Sequence, residues 1–144
     1  MIVLVVAENS EGTNLMATIL VVDDYAVTQR MLTYQLLKQG HQVVTANNGY
    51  EALDSLNDQN VDLMIVDLAM PEMDGLTVLR QLRSSHRHQS LPIIMLTASG
   101  REQDRTQAIK AGVDAFLTKP INVWQLVNIV DDLLVRAAPT ALAA

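Results

Sequence analysis

Five short runs of Val, Ile, Leu and Met recur along the chain at intervals of roughly 20–30 residues, and they limit what it can fold into. They are Thr18–Val22 (TILVV), Gln42–Thr45 (QVVT), Val61–Val66 (VDLMIV), Pro92–Leu96 (PIIML) and Ala115–Thr118 (AFLT). The first, third and fourth are continuous apolar runs rather than alternations. That is the pattern of strands covered on both faces, as in a parallel sheet. Parallel neighbours need a crossover of about a dozen residues or more, and each interval has room for a helix.

The intervals carry helical period and end signals. Val27, Met31, Tyr34 and Leu37, with Leu32 and Leu36, form an apolar stripe that stops at Gly40. Asn48 stands three residues before Glu51, ahead of Ala52, Leu53 and Leu56, and reads as the cap of a second helix. Asp74-Gly75 opens a third, with Leu76, Leu79 and Leu82 on one face. Ser99-x-x-Glu102 reads as a capping box for a fourth, ending near Gly112. Asn122-x-x-Gln125 opens a fifth, whose stripe is Leu126, Ile129, Val130, Leu133 and Leu134. Strand–helix alternation repeated five times predicts an α/β fold: a doubly wound, five-stranded parallel sheet with helices on both faces. Right-handed crossovers leave few orders, and the flavodoxin-like order 2-1-3-4-5 has its switch point between strands 1 and 3.

No linker rich in Pro, Gly or Ser divides the 144 residues, so one domain is expected from Ala17 to about Arg136, with 137–144 as an Ala-rich tail. Apolar residues at 49% against 18% charged exclude a disordered chain. A net charge of −6 argues against direct nucleic acid binding, which needs a basic face. Cys is absent, which excludes a disulfide framework and a thiol nucleophile and fits a reducing cytoplasm. Residues 1–16 (MIVLVVAENSEGTNLM) form an N-terminal extension. Ile2–Ala7 is too short for a signal h-region or for a membrane span of about 20 residues. The extension is expected to be disordered or paired as an edge strand.

Polar residues gather where the strands end: Asp23-Asp24, Asp67, Thr97 and Lys119-Pro120. In such sheets the carboxyl ends of the strands line the ligand crevice. Three carboxylates converging there repel one another, so their pKa values rise or a hard cation sits among them. With no His or Cys nearby in sequence, oxygen ligands point to Mg²⁺ rather than zinc. A Lys and a hydroxyl suit phosphoryl oxygens, and an Asp can itself be a nucleophile that forms an aspartyl phosphate. Asp67 is the best placed, next to the switch point and followed by the turn system Leu68–Gly75. Read singly, Asp23-Asp24 is equally a helix cap with a solvated acid, Thr97 a strand-end hydroxyl and Lys119-Pro120 a turn. Their company promotes them. His86 and His88 read as a solvated loop far from the carboxylates, His41 as a surface turn residue, and Met70 and Met73 as loop anchors under the site. Trp124, at the start of helix 5, is either core or part of a partner surface. No Gly-rich nucleotide loop is present.

ILVVDD, DLAMPEMDG, LTA and FLTKP, in this order, resemble the receiver domain of two-component response regulators over residues 17–136. The resemblance implies that Asp67 is the phosphoacceptor, taking its phosphoryl group from a sensor histidine kinase or phosphotransfer protein. It also implies Mg²⁺ held by Asp24 directly, by Asp23 largely through water, by Asp67 and by the Ala69 backbone carbonyl. Thr97 and Lys119 would hold phosphoryl oxygens. Thr97 and Phe116 would form the switch that couples the site to the face of helix 4, strand 5 and helix 5. A downstream target would bind that face, or a homodimer would form through it. The resemblance further implies a cis peptide at Lys119-Pro120. Such a domain is no enzyme beyond assisting its own phosphorylation and dephosphorylation. The resemblance would put Ala69 and Ser99 beside the path of the attacking water, which leaves the lifetime of the phosphorylated state open. Phe116 lacks the hydroxyl that a Tyr would bring. One alternative is a Mg-dependent phosphohydrolase with an aspartyl phosphate, which would want an acid/base Asp where Ala69 stands. The other is a phosphorylation-independent interaction module, which the intact polar set disfavours. The sequence names neither the kinase, the pathway nor the target, and leaves open a stand-alone regulator or a receiver cut from a longer protein.

Overall fold

Residues 16–137 are described by a computed structural model. The apolar runs are strands β1 (Thr18–Val22), β2 (Gln42–Ala46), β3 (Leu63–Asp67), β4 (Ile93–Thr97) and β5 (Ala115–Thr118). Between and after them lie α1 (Ala26–Lys38), α2 (Gly49–Asp58), α3 (Gly75–Ser84), α4 (Glu102–Ala111) and α5 (Val123–Ala137). The strands pair in parallel in the order β2-β1-β3-β4-β5, so the chain reverses its direction of travel across the sheet between β1 and β3. β3 and β4 sit centrally and are buried at every position, which is why they read as unbroken apolar runs.

Period 2 along each strand divides the core into two layers. Leu20 and Val22 face α2, α3 and α4, where Ala52, Leu56, Val78, Leu79, Leu82 and Ala108 pack. Ile19 and Val21 face α1 and α5, meeting Leu32, Leu36, Leu126, Val130, Leu133 and Leu134. Each of the buried Leu, Ile and Val side chains contributes about 1.5–3 kcal/mol, so the sheet is held from both sides.

Helix starts follow the expected caps at three places. Asn48 accepts from the Glu51 N–H at 2.8 Å, Asp74 from Thr77 at 2.8 Å and Asn122 from Gln125 at 3.0 Å. Three local expectations are overturned. The Ser99 capping box does not form: α4 starts only at Glu102, and the Ser99 hydroxyl accepts instead from the backbone and side chain of Arg101. On α1, Leu32 and Leu36 are buried, but Val27, Met31, Tyr34 and Leu37 face outward. The helix buries only one line of what the sequence offers as a wide stripe, and Lys38 lies over the outward Tyr34 ring at 5.7 Å. His41 is buried rather than a surface residue, with its Nδ1 accepting the Ala17 N–H at 3.2 Å. The expected pairing or disorder of residues 1–16 falls outside the described residues except at Met16, which is exposed. Among the described residues no helix is long and apolar enough to cross a membrane.

Candidate functional site

β3 and β4 each run one residue past their apolar core, so Asp67 and Thr97 are the last residues of central strands. A residue on the final rung keeps its backbone fixed by the ladder while its side chain stands at the sheet's end. Asp67 is thereby placed by pairing with Leu96, and the next residue, Leu68, donates to the Leu96 carbonyl at 2.7 Å. β1 delivers Asp23 and Asp24 just beyond Val22, and β5 delivers Lys119, whose backbone N–H donates to the Thr97 carbonyl at 2.7 Å. The Lys119-Pro120 peptide is cis.

The structure brings Asp23, Asp24, Asp67 and Lys119 into one cluster. Each of the three carboxylates offers an oxygen within 4.8 Å of the others. Asp23 and Asp67 are buried and Asp24 is exposed, so the cluster opens to solvent on one side. Lys119 Nζ bridges the buried pair, 3.0 Å from Asp23 Oδ2 and 3.2 Å from Asp67 Oδ1. The other oxygen of Asp23 accepts the Tyr25 N–H at 2.9 Å. One ammonium against three carboxylates leaves excess negative charge. Burial, reinforced by the charges of Asp23 and Asp24 and only partly countered by Lys119, raises the Asp67 carboxyl above the ordinary range. Burial pulls the Lys119 ammonium down, but its hydrogen bonds and charge contacts with Asp23 and Asp67 outweigh that and hold it above its usual value.

An all-oxygen, triply acidic donor set with an open side has the chemistry of a hard divalent cation that keeps part of its water shell. The residues therefore fit Mg²⁺. Thr97 is buried, and its hydroxyl oxygen accepts the Ser99 N–H at 3.0 Å, which leaves the hydroxyl hydrogen to donate elsewhere. Ala69 lies exposed two residues beyond Asp67. Phe116 is set back from the cluster: it pairs with Met95 two rungs inside the sheet and packs half-buried against the α2–α4 side of the core. His86 and His88 lie in the α3–β4 loop, at the opposite end of the strands. Met70 and Met73 are buried in the β3–α3 loop.

Two contributors escape a reading by spacing. A Cβ on Gly75 would stand 2.4 Å from the Asp67 carbonyl oxygen, so only glycine lets the loop return close enough for its N–H to reach the Leu68 carbonyl at 2.8 Å. The Asp-Gly pair was a visible signal for a turn, but not for this contact. Gln29, inside α1, donates into the loops around the acidic pair, and nothing in its spacing marks it.

The family profile described as the response regulator receiver domain matches residues 19–131. The transcriptional regulatory protein ResD of Bacillus subtilis is 42% identical over 123 residues, which is 85% of this chain but 50% of ResD. The chain thus spans half the length of that relative. A 14.6 kDa protein of Leptolyngbya boryana is 38% identical, with 85% of this chain and 94% of that protein covered. Among solved structures, the receiver domain of the Pseudomonas aeruginosa sensor histidine kinase PA1611, with a magnesium ion coordinated in its active site cleft, is similar at TM-score 0.76. It is 29% identical, covering 83% of this chain and 98% of that one.

Proposed function

The chain belongs to the receiver domain family of two-component response regulators, and on that premise we propose that Asp67 accepts a phosphoryl group from a phosphohistidine of a sensor kinase or phosphotransfer protein. The observation that carries this reading is the convergence of three carboxylates and one lysine at the carboxyl ends of β1, β3 and β5. An Asp67 oxygen attacks phosphorus. The bond to the donor's imidazole nitrogen breaks, and its electron pair leaves with the imidazole. Asp23, Asp24, Asp67 and the Ala69 carbonyl would hold Mg²⁺, which when bound supplies positive charge for the phosphoryl oxygens in transfer. Lys119 turns its ammonium from the buried carboxylates toward a phosphoryl oxygen, and the Thr97 hydroxyl donates to another. The gain in charge at Asp67 is thus met by groups already in place.

Receiver domains are signalling switches, and this one carries its output through a face rather than through product. Recruiting the Thr97 hydroxyl draws on the β4–α4 loop, which Thr97 holds through Ser99, and Phe116 on the adjoining strand packs against the core layer that includes Ala108 of α4. The face of α4, β5 and α5, where Ile109 is exposed, is the surface a downstream target or second copy would read. A turnover phosphohydrolase is less well supported, because exposed Ala69 supplies no acid or base beside Asp67.

The test is intact mass after incubation with Mg²⁺ and acetyl phosphate. One phosphoryl group should appear on the wild type, with at least a hundredfold less on Asp67→Asn and none in the presence of a chelator. Steady release of phosphate from many phosphoesters would favour the hydrolase. No modification of the folded wild type would leave an interaction module.

A further inference from the structure

Helix α1 begins without the usual device. Its N-cap position is Tyr25, which makes no side-chain cap, and its first turn holds no acidic residue. Yet this helix start must be well fixed, because Asp23 and Asp24 are the residues that lead into it. Gln29, the fourth residue of α1, takes over. Its Nε2 donates to the Asp23 carbonyl at 3.0 Å, to the Ala46 carbonyl at 3.1 Å and to the Asn47 side-chain oxygen at 3.1 Å. An amide nitrogen carries two hydrogens, so the three acceptors share them. They lie on two separate segments: Asp23 in the loop leaving β1, and Ala46 and Asn47 at the end of β2 and just beyond it. The Ala46 carbonyl also accepts the Asp23 N–H at 3.2 Å. Both peptide units flanking the Asp23 side chain are therefore tied to the end of β2, a strand that among the described residues has one neighbour in the sheet.

We propose that Gln29 is a positioning residue for the acidic pair: by clamping the β1–α1 loop to the β2–α2 loop, it sets where Asp23 and Asp24 present their oxygens to Mg²⁺. This rests on the phosphoacceptor reading above. Carboxylates that receive a cation must be held to within about half an ångström, and a supporting hydrogen-bond partner is typically worth a 10–100-fold change in metal affinity. The clamp acts on the loop backbone and touches neither metal nor phosphoryl group, so its loss is made good by more cation.

Calorimetric titration of Mg²⁺ alone into the full chain tests this, with labelling by acetyl phosphate at limiting and saturating Mg²⁺ alongside. Gln29→Met keeps the length of the side chain and removes the donors. It should weaken Mg²⁺ binding by about tenfold, slow labelling in proportion at limiting Mg²⁺, and regain near wild-type labelling at saturation. Gln29→Arg, which keeps donors at that reach, should bind Mg²⁺ much as the wild type does. A folded Gln29→Met with wild-type Mg²⁺ affinity overturns the proposal, as does a defect that Gln29→Arg shares in full. If Gln29→Met does not fold, Asn47→Ala removes one leg of the clamp from outside α1. Unchanged affinity there would overturn the proposal, and a few-fold loss would uphold it. A wild type that neither binds Mg²⁺ nor is labelled at Asp67 fails the phosphoacceptor reading itself, and the clamp with it.

Discussion

At the two ends of this sheet the same residue type is put to opposite use. At the amino ends of the strands, Asp62 accepts the Thr18 N–H at 2.8 Å, and Asp114 accepts the Ile93 N–H at 2.8 Å and the Arg83 guanidinium at 2.9 Å. Arg83 goes on to the Leu91 carbonyl at 2.7 Å and the Gly112 carbonyl at 2.9 Å. His41 takes the Ala17 N–H. Each of these groups is matched to a backbone partner that would otherwise go unsatisfied where a strand begins. At the carboxyl ends Asp23, Asp24 and Asp67 are set against one another with a single lysine between them. One end holds the fold together, and the other is held in place by it. A cluster of like charges, unfavourable with no cation to neutralise it, needs a scaffold made stable elsewhere.

Substitutions at the two ends should therefore separate stability from chemistry. The largest effect on folding is expected from Gly75→Ala, whose Cβ meets backbone it cannot displace. A loss of roughly 2–3 kcal/mol in urea unfolding is expected, with labelling of Asp67 also reduced because the loop behind it must move. Asp114→Ala comes next. It leaves the Ile93 N–H without its acceptor and takes the carboxylate from Arg83 Nη2, and should lower stability by about 2 kcal/mol, with Mg²⁺ affinity unchanged. A shift in Mg²⁺ affinity there would break the separation of the two ends.

Third is a pH effect at His41. Burial lowers its pKa, with Asp62 opposing, so the folded state binds fewer protons than the unfolded chain near the ordinary His value. The stability this contributes is present above about pH 6.5 and is lost as the pH falls below that. Between pH 7 and pH 5 the loss should be on the order of 1 kcal/mol, and His41→Gln should flatten that part of the profile. The smallest effect belongs to Arg136→Ala. The pair with Asp132 at 2.8 Å is largely solvent-exposed, and its removal should change stability by less than about 0.5 kcal/mol.

What the sequence made legible follows from the same contrast. The strands and the placement of Asp23, Asp67, Thr97 and Lys119 at their ends rest on apolar runs and their spacing, which local pattern reports directly, and the strand order follows from the crossover rule applied to them. His41 was not legible as a core residue, because its partner Ala17 lies 24 residues away and a His after a glycine looks like any turn. Nor was the outward face of α1. Its apolar residues carry helical period, but a helix lying flat on a sheet buries one line, here Leu32 and Leu36. Ser99 offered the letters of a capping box, and the turn out of β4 used its hydroxyl for Arg101 instead. The clamp of Gln29 depends on one carbonyl in the β1–α1 loop and another, 17 residues distant, at the end of β2, and backbone acceptors leave no mark in a sequence.

The central claim is that the carboxyl-end cluster is a standing cost relieved by its ligand. Burial raises the Asp67 pKa, so its charged form costs the fold stability, and that cost fades as the pH falls and the carboxyl protonates. The direct measurement is the unfolding free energy of wild type and Asp67→Asn at neutral pH, with and without Mg²⁺. Without Mg²⁺ the variant should be the more stable by on the order of 1 kcal/mol, a few degrees in Tm. Saturating Mg²⁺ should close or reverse that gap by stabilising the wild type alone. A variant no more stable than wild type without Mg²⁺, or a gap that Mg²⁺ leaves untouched, would contradict the account.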